Sequence, residues 1–166
     1  DGIIPEEIEI AFERYATSKI NSKNEIFSIN TLGFRGEALS SIASVSNVKC
    51  TSRIRTNNFA QEIEISHGEK IKNIKTSSNY GTKIIIEEIF KNTPARLKFL
   101  ASNRAESSKI QNFIHGISQS YTSVSFELLI DGKMKIRTNG DSELFSIIAD
   151  FYNVTNNDLI QIKSKN

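Results

Sequence analysis

Four short runs rich in β-branched residues, at 45–54, 59–66, 71–75 and 82–87, follow one another with only turn chemistry between them. The separators are Thr56-Asn57-Asn58, His67-Gly68 and Ser77-Ser78-Asn79-Tyr80-Gly81. A parallel pair needs a crossover of a dozen or more residues, and none of these gaps provides one. The runs therefore predict an antiparallel meander. Lys83-Ile84-Ile85-Ile86 is apolar without alternation, which predicts a central strand covered on both faces.

Helices are expected on either side of these strands, which makes the fold class α+β. Residues 5–15 carry Pro5 in the first turn, Glu6 and Glu7 at the positive end of the dipole, and Ile8, Ala11, Phe12 and Tyr15 at helical spacing. A second helix is predicted over 37–44. Thr93 and Pro94 read as the cap and first residue of a third. The stretch 103–120 carries Ile110, Phe113, Ile114, Ile117 and Tyr121 as one stripe, predicting a core face that lies on the sheet. Asp131-Gly132, a strong two-residue hairpin signal, separates strands predicted at 123–130 and 133–138. Thr138-Asn139-Gly140-Asp141-Ser142 then breaks the pattern, which predicts one domain over 1–139 and the beginning of another over 140–166. The second piece, a helix at 142–151 and a strand at 158–162, is too small to fold by itself.

Composition serves mainly to exclude. No apolar run approaches the roughly 18 residues of a membrane helix, and no basic-then-apolar leader is visible at the N-terminus, so the sequence is read as soluble. One cysteine, Cys50, rules out an internal disulfide and sits in a strand-like run as a structural thiol. His67 and His115 are far apart and lack cysteine companions, so no zinc site is supported. A net charge of +2 permits a basic face without requiring one. The chain opens on Asp1-Gly2-Ile3, a turn with no methionine, and its natural start is expected upstream.

Two segments carry chemistry. In Gly33-Phe34-Arg35-Gly36-Glu37-Ala38-Leu39, two glycines frame an arginine just before a predicted helix. Glycine amides, helix N–H groups and a guanidinium fork together favour a phosphate, but a tight loop whose glycines relieve strain has the same sequence. The Walker A spacing is absent. Thr17-Ser18-Lys19 offers two hydroxyls and an ammonium, suited either to phosphate or to a solvated helix cap.

Taken in order, Arg14-Tyr15-Ala16-Thr17-Ser18-Lys19-Ile20, Gly33 to Ile42, Gly81-Thr82 and Asn92-Thr93-Pro94-Ala95-Arg96 resemble the MutL family of DNA mismatch-repair ATPases, and the last run resembles its bacterial members. The resemblance implies a two-layer α/β sandwich of the GHKL ATPase type. Its mixed, mostly antiparallel sheet has helices on one face, is truncated at its N-terminus here, and is followed by the start of a second, transducer-like α/β domain. It implies that Gly2 is the last glycine of an Asp-x-Gly-x-Gly adenine motif, with Asp1 a variable residue and the adenine aspartate upstream. Thr17, Ser18 and Lys19 match the segment leading into a nucleotide lid. Gly33, Phe34, Arg35, Gly36, Ala38 and Leu39 match the phosphate-binding part, and Thr82 matches a threonine supporting the adenine pocket. Asn92 to Arg96 match a family signature whose implied role is structural, with direct DNA or nucleotide contact as the alternative.

The same resemblance implies ATP and Mg²⁺ as cofactors, with the general-base glutamate and the magnesium ligand both outside these residues. No catalytic or metal-binding residue is therefore expected here, and the 166-residue chain alone is expected to be inactive. For an intact protein it implies slow hydrolysis, lid ordering, homodimerisation on ATP, contact with DNA, with a MutS-like mismatch-recognition protein and with a downstream nuclease or helicase, and a cytoplasmic, nucleoid-associated location. Arg96, Lys98, Arg104 and Lys109 offer a basic DNA face or ordinary solvated charge. A non-catalytic dimerisation or DNA-scaffold module that keeps the fold is the alternative reading.

Overall fold

Strand β1 (Asn47–Arg53) buries every second residue, Val48, Cys50 and Ser52, as a strand with one covered face must. In this computed structural model, which describes residues 1–16, 33, 36–158, 160 and 162, β1 lies inside a four-stranded sheet. It pairs with β2 (Ala60–Ser66), which pairs with β3 (Glu69–Thr76), and β4 (Gly81–Glu87) returns to the far side of β1. All three pairings are antiparallel. The first three strands form the expected meander, and the order β3-β2-β1-β4 places β4 at an edge.

That position corrects the expectation of a central strand. Ile84 and Ile86, opposite Cys50 and Val48, are 40% and 44% exposed. An unbroken apolar run identifies a strand with two apolar faces, but its place in the sheet depends on distant partners that no local pattern encodes.

The covered face of the sheet meets Ile8, Phe12 and Ala43, which cluster with Val48, Cys50, Ile63 and Ile65, while Ile3, Ala11, Leu39 and Ile42 pack around them. Full burial of one such side chain as Ile63 contributes about 1.5–3 kcal/mol. Ala43 and Leu39 come from helix α1 (Ala38–Ala43). Ile8 and Phe12 come from a segment predicted as one helix over 5–15. It forms instead two 3₁₀ turns, Pro5–Glu7 and Ile10–Phe12. Ile4 stands at the N-cap with no side-chain bond to give, and Glu13 leaves in extended geometry at ψ 152°, so the segment is neither capped nor continued. The opposite face is polar: Lys49 and Lys72 interleave with Glu62 and Glu64, the tightest contact being Lys49 Nζ to Glu64 Oε1 at 2.6 Å.

After β4, helix α2 (Pro94–Leu97) starts on Pro94 as predicted. Thr93 does not cap it with its side chain; its hydroxyl donates backward to the Phe90 carbonyl at 3.4 Å. Packing divides the chain into two compact units, Asp1–Phe99 and Leu100–Asn166. The sequence break at 139/140 falls inside the second of these units.

The second unit holds helix α3 (Asn103–Ser120), the hairpin β5 (Glu127–Ile130) and β6 (Lys133–Arg137), and helix α4 (Leu144–Tyr152). Ser102 caps α3 by accepting from the Ala105 amide at 3.3 Å. Asp131 and Gly132 take φ of 50° and 72°, the left-handed pair that a two-residue hairpin demands. The apolar stripe of α3 is covered only in part, with Ile114, Ile117 and Tyr121 half-buried. Ile110 and Phe113 are 50% and 66% exposed, whereas His115 and Ser118 are buried. Periodicity marks an apolar face, and packing against α4 has turned the helix so that His115 points inward onto Phe151. Asp158 ends a 3₁₀ turn, Asn156–Asp158, and does not open the predicted strand; Ile160 and Ile162 are exposed and carry no strand assignment. Among the described residues no helix is long and apolar enough to cross a membrane.

Candidate functional site

At one end of the covered face, the segment Asp1–Ile3 is laid directly on β1 and β4. A Cβ on Gly2 would stand 2.1 Å from the Arg53 carbonyl oxygen, so only glycine lets the backbone lie this close. Two hydroxyls hold the segment there. The Ile3 amide donates to Ser52 Oγ at 2.7 Å, and Thr82 Oγ1 donates to the Asp1 carbonyl at 2.9 Å. Ser52 and Thr82 face each other across the β1–β4 ladder, their hydroxyl oxygens 2.8 Å apart. The pair is asymmetric: Ser52 is 1% exposed, while Thr82 is open to solvent. Gly2 and Thr82, distant in sequence and both expected at a nucleotide site, are thus brought together.

A second junction lies where the chain enters α1. Gly36 has φ 64°, and a Cβ there would be 2.3 Å from the Ala16 carbonyl oxygen. Its own carbonyl accepts the Tyr15 amide at 3.0 Å. Residues 15–16 and 36 are therefore joined backbone to backbone, with no room for a side chain at Gly36. Ala38, the first residue of α1, is exposed, and Leu39 packs on the core. Gly33 is exposed, and a Cβ there would meet no atom of the described residues within 4 Å. Thr17, Ser18, Lys19, Phe34 and Arg35 lie outside the described residues.

Burial pushes the Cys50 thiol up to about 11, which keeps it protonated and inert at neutral pH. No sequence signal singled out Ser52. It stands in a strand run as one more hydroxyl, and only the β1–β4 register, set by residues 30 positions apart, puts it against Thr82.

Set beside known proteins, the chain is 46% identical over 156 residues to the DNA mismatch repair protein MutL of Clostridium botulinum (strain ATCC 19397 / Type A), covering 93% of this chain and 23% of that protein. The MutL of Macrococcus caseolyticus is 37% identical over 165 residues, or 99% of this chain and 26% of its own length. The chain belongs to the MutL family.

It spans about a quarter of the length of the MutL proteins it matches. No family model matches it. Among solved structures, the Aquifex aeolicus MutL ATPase domain complexed with ADP superposes with a TM-score of 0.68 at 24% identity, over 80% of this chain and 52% of that one. A second structure of the A. aeolicus ATPase domain gives 0.63 at 23% identity, over 92% of this chain and 49% of that one. At that identity the likeness establishes the fold, an α+β arrangement of the MutL ATPase type with an antiparallel sheet. In this chain, Gly2, Ser52 and Thr82 form one clasp.

Proposed function

We propose that this chain contributes the adenine-side wall and the base of the lid of an ATP-binding site, in a MutL protein that couples slow ATP hydrolysis to DNA mismatch repair. The observation that carries the reading is the clasp of Gly2 by Ser52 and Thr82, in a sequence 46% identical to a MutL protein. Gly2 lets its segment lie against the Arg53 backbone, and the exposed Thr82 hydroxyl supplies a polar handle beside that segment, suited to the edge of a base.

Bound ATP, with Mg²⁺ held by residues beyond this stretch, supplies the scissile phosphate bond and a charge that this chain can answer. Amides from Gly33 to Leu39, with Arg35, hold phosphate oxygens, and Thr17, Ser18 and Lys19 close the lid over them. The Tyr15–Gly36 bond keeps both ends of the lid at one place. Ordering of the lid creates a dimerisation surface, an order–disorder switch driven by phosphate contacts. The dimer then engages DNA, a MutS-like mismatch-recognition protein and a nuclease or helicase in the bacterial cytoplasm. The chain divides into an ATPase part over 1–139 and the beginning of a transducer-like part over 140–166.

Calorimetric titration of a full-length protein carrying this sequence with a non-hydrolysable ATP analogue tests the reading. Saturable binding that falls at least about tenfold in Arg35→Ala is expected, the loss of one charged hydrogen bond. No binding by the full-length protein, together with no effect of Arg35→Ala, would count decisively against it. The isolated 166 residues are expected not to turn over ATP.

A further inference from the structure

The direction of the hydrogen bonds around Ser52 follows from counting protons. A hydroxyl has one proton to donate and two lone pairs. Thr82 spends its proton on the Asp1 carbonyl at 2.9 Å. The 2.8 Å contact between the two hydroxyls must then be donated by Ser52. The other acceptor open to Ser52, the Gly81 carbonyl, is 3.3 Å away, beyond the usual O–H···O range. Ser52 in turn accepts the Ile3 amide at 2.7 Å. The result is one directed chain, from Ile3 N–H to Ser52 to Thr82 to the Asp1 carbonyl, which begins and ends in the same three-residue segment.

Thr82 is thereby left with one lone pair and no proton, and its side chain is exposed. An atom in that state can only accept. It suits an amino group or a water hydrogen and offers nothing to a carbonyl oxygen. Adenine carries an amino group at the position where guanine carries a carbonyl.

We propose that Ser52 is a specificity-determining positioning residue: by donating to Thr82 and anchoring Ile3, it fixes the Thr82 hydroxyl as an acceptor and so selects adenine over guanine nucleotides. The inference rests on reading this site as a nucleotide pocket, and it adds a residue that touches no ligand. Without the Ser52 hydroxyl, the Ile3 amide loses its acceptor, the Asp1 carbonyl is no longer held over Thr82, and the Thr82 proton becomes free to meet a guanine carbonyl.

The test is calorimetric binding of the β,γ-imido analogues of ATP and GTP to the full-length protein, for wild type, Ser52→Ala and Ser52→Thr, with thermal melting alongside. In Ser52→Ala the preference for the ATP analogue should shrink about tenfold, the worth of one misdirected hydrogen bond in a polar site. Ser52→Thr, which keeps the hydroxyl, should restore it. Equal weakening of both analogues in Ser52→Ala marks a purely structural role and overturns the proposal, as does no change in either. Should Ser52→Ala fail to fold, Thr82→Val removes the acceptor while leaving the Ile3–Ser52 bond in place; an undiminished ATP preference in that variant also overturns it. Wild-type protein that binds neither analogue brings down the nucleotide reading itself, and this inference with it.

Discussion

His115 of α3 lies flat against Phe151 of α4, with ring centroids 3.3 Å apart and planes 20° from parallel. Tyr152 meets both rings edge-on, and the Gln119 amide nitrogen is 2.9 Å from His115 Nε2. Burial in this stack holds the imidazole below its ordinary value of 6.5, because the charged form loses its water. The unfolded chain therefore binds the proton more readily. The stability that His115 contributes is complete above about pH 6.5 and is lost as pH falls through the folded value. NMR titration of His115 should give a midpoint below 6.5, and Phe151→Ala should move it upward by reopening the ring to solvent. A midpoint unmoved by Phe151→Ala would show that the stack does not control solvent access to the ring.

The two glycines of the loop before α1 should respond differently to alanine. At Gly36 a methyl group meets the Ala16 backbone and the residue is held at φ 64°, so Gly36→Ala should cost about 1–3 kcal/mol by chemical denaturation. At Gly33 a Cβ would meet no described atom within 4 Å, and Gly33→Ala should leave stability within about 0.5 kcal/mol. A loss of nucleotide affinity in Gly33→Ala without loss of stability would then report on how closely the ligand approaches that backbone.

Cys50 should resist thiol reagents in the folded protein and react fully only after unfolding, since it is 0% exposed and its thiol is raised to about 11. Labelling followed by mass spectrometry, with and without denaturant, reads this directly. Cys50→Ser should destabilise by about 1–3 kcal/mol, because it buries a hydroxyl among apolar neighbours.

On the polar face of the sheet, hydrogen bonding to Lys72 is the chief cause that lowers Glu62, and hydrogen bonding to Lys49 the chief cause that lowers Glu64. Depressed carboxyls stabilise the fold above their unfolded values, and that contribution is lost as pH falls through the folded ones. The melting temperature should therefore drop on acidification below about pH 4.5. Glu62→Gln should reduce the size of that drop. The ladder is partly open to water, so molar salt should shrink the difference between wild type and variant.

What the sequence disclosed divides along the range of the forces involved. Turn chemistry is local: His67-Gly68 and Asp131-Gly132 adopt left-handed φ and make their hairpins where expected. Helix 103–120 is legible to both ends because its periodicity lies within it and its cap, Ser102, directly precedes it. The edge position of β4, the side of α3 that faces inward and the contact between Ser52 and Thr82 all depend on residues far away in sequence. Of the candidate nucleotide site, resemblance supplied Gly2 and Thr82, whereas the residue that joins them carried no motif.

The bond from the Tyr15 amide to the Gly36 carbonyl makes the intervening stretch a closed loop whose circumference is fixed at its root. The configurational cost of bringing those ends together is met once, when the domain folds.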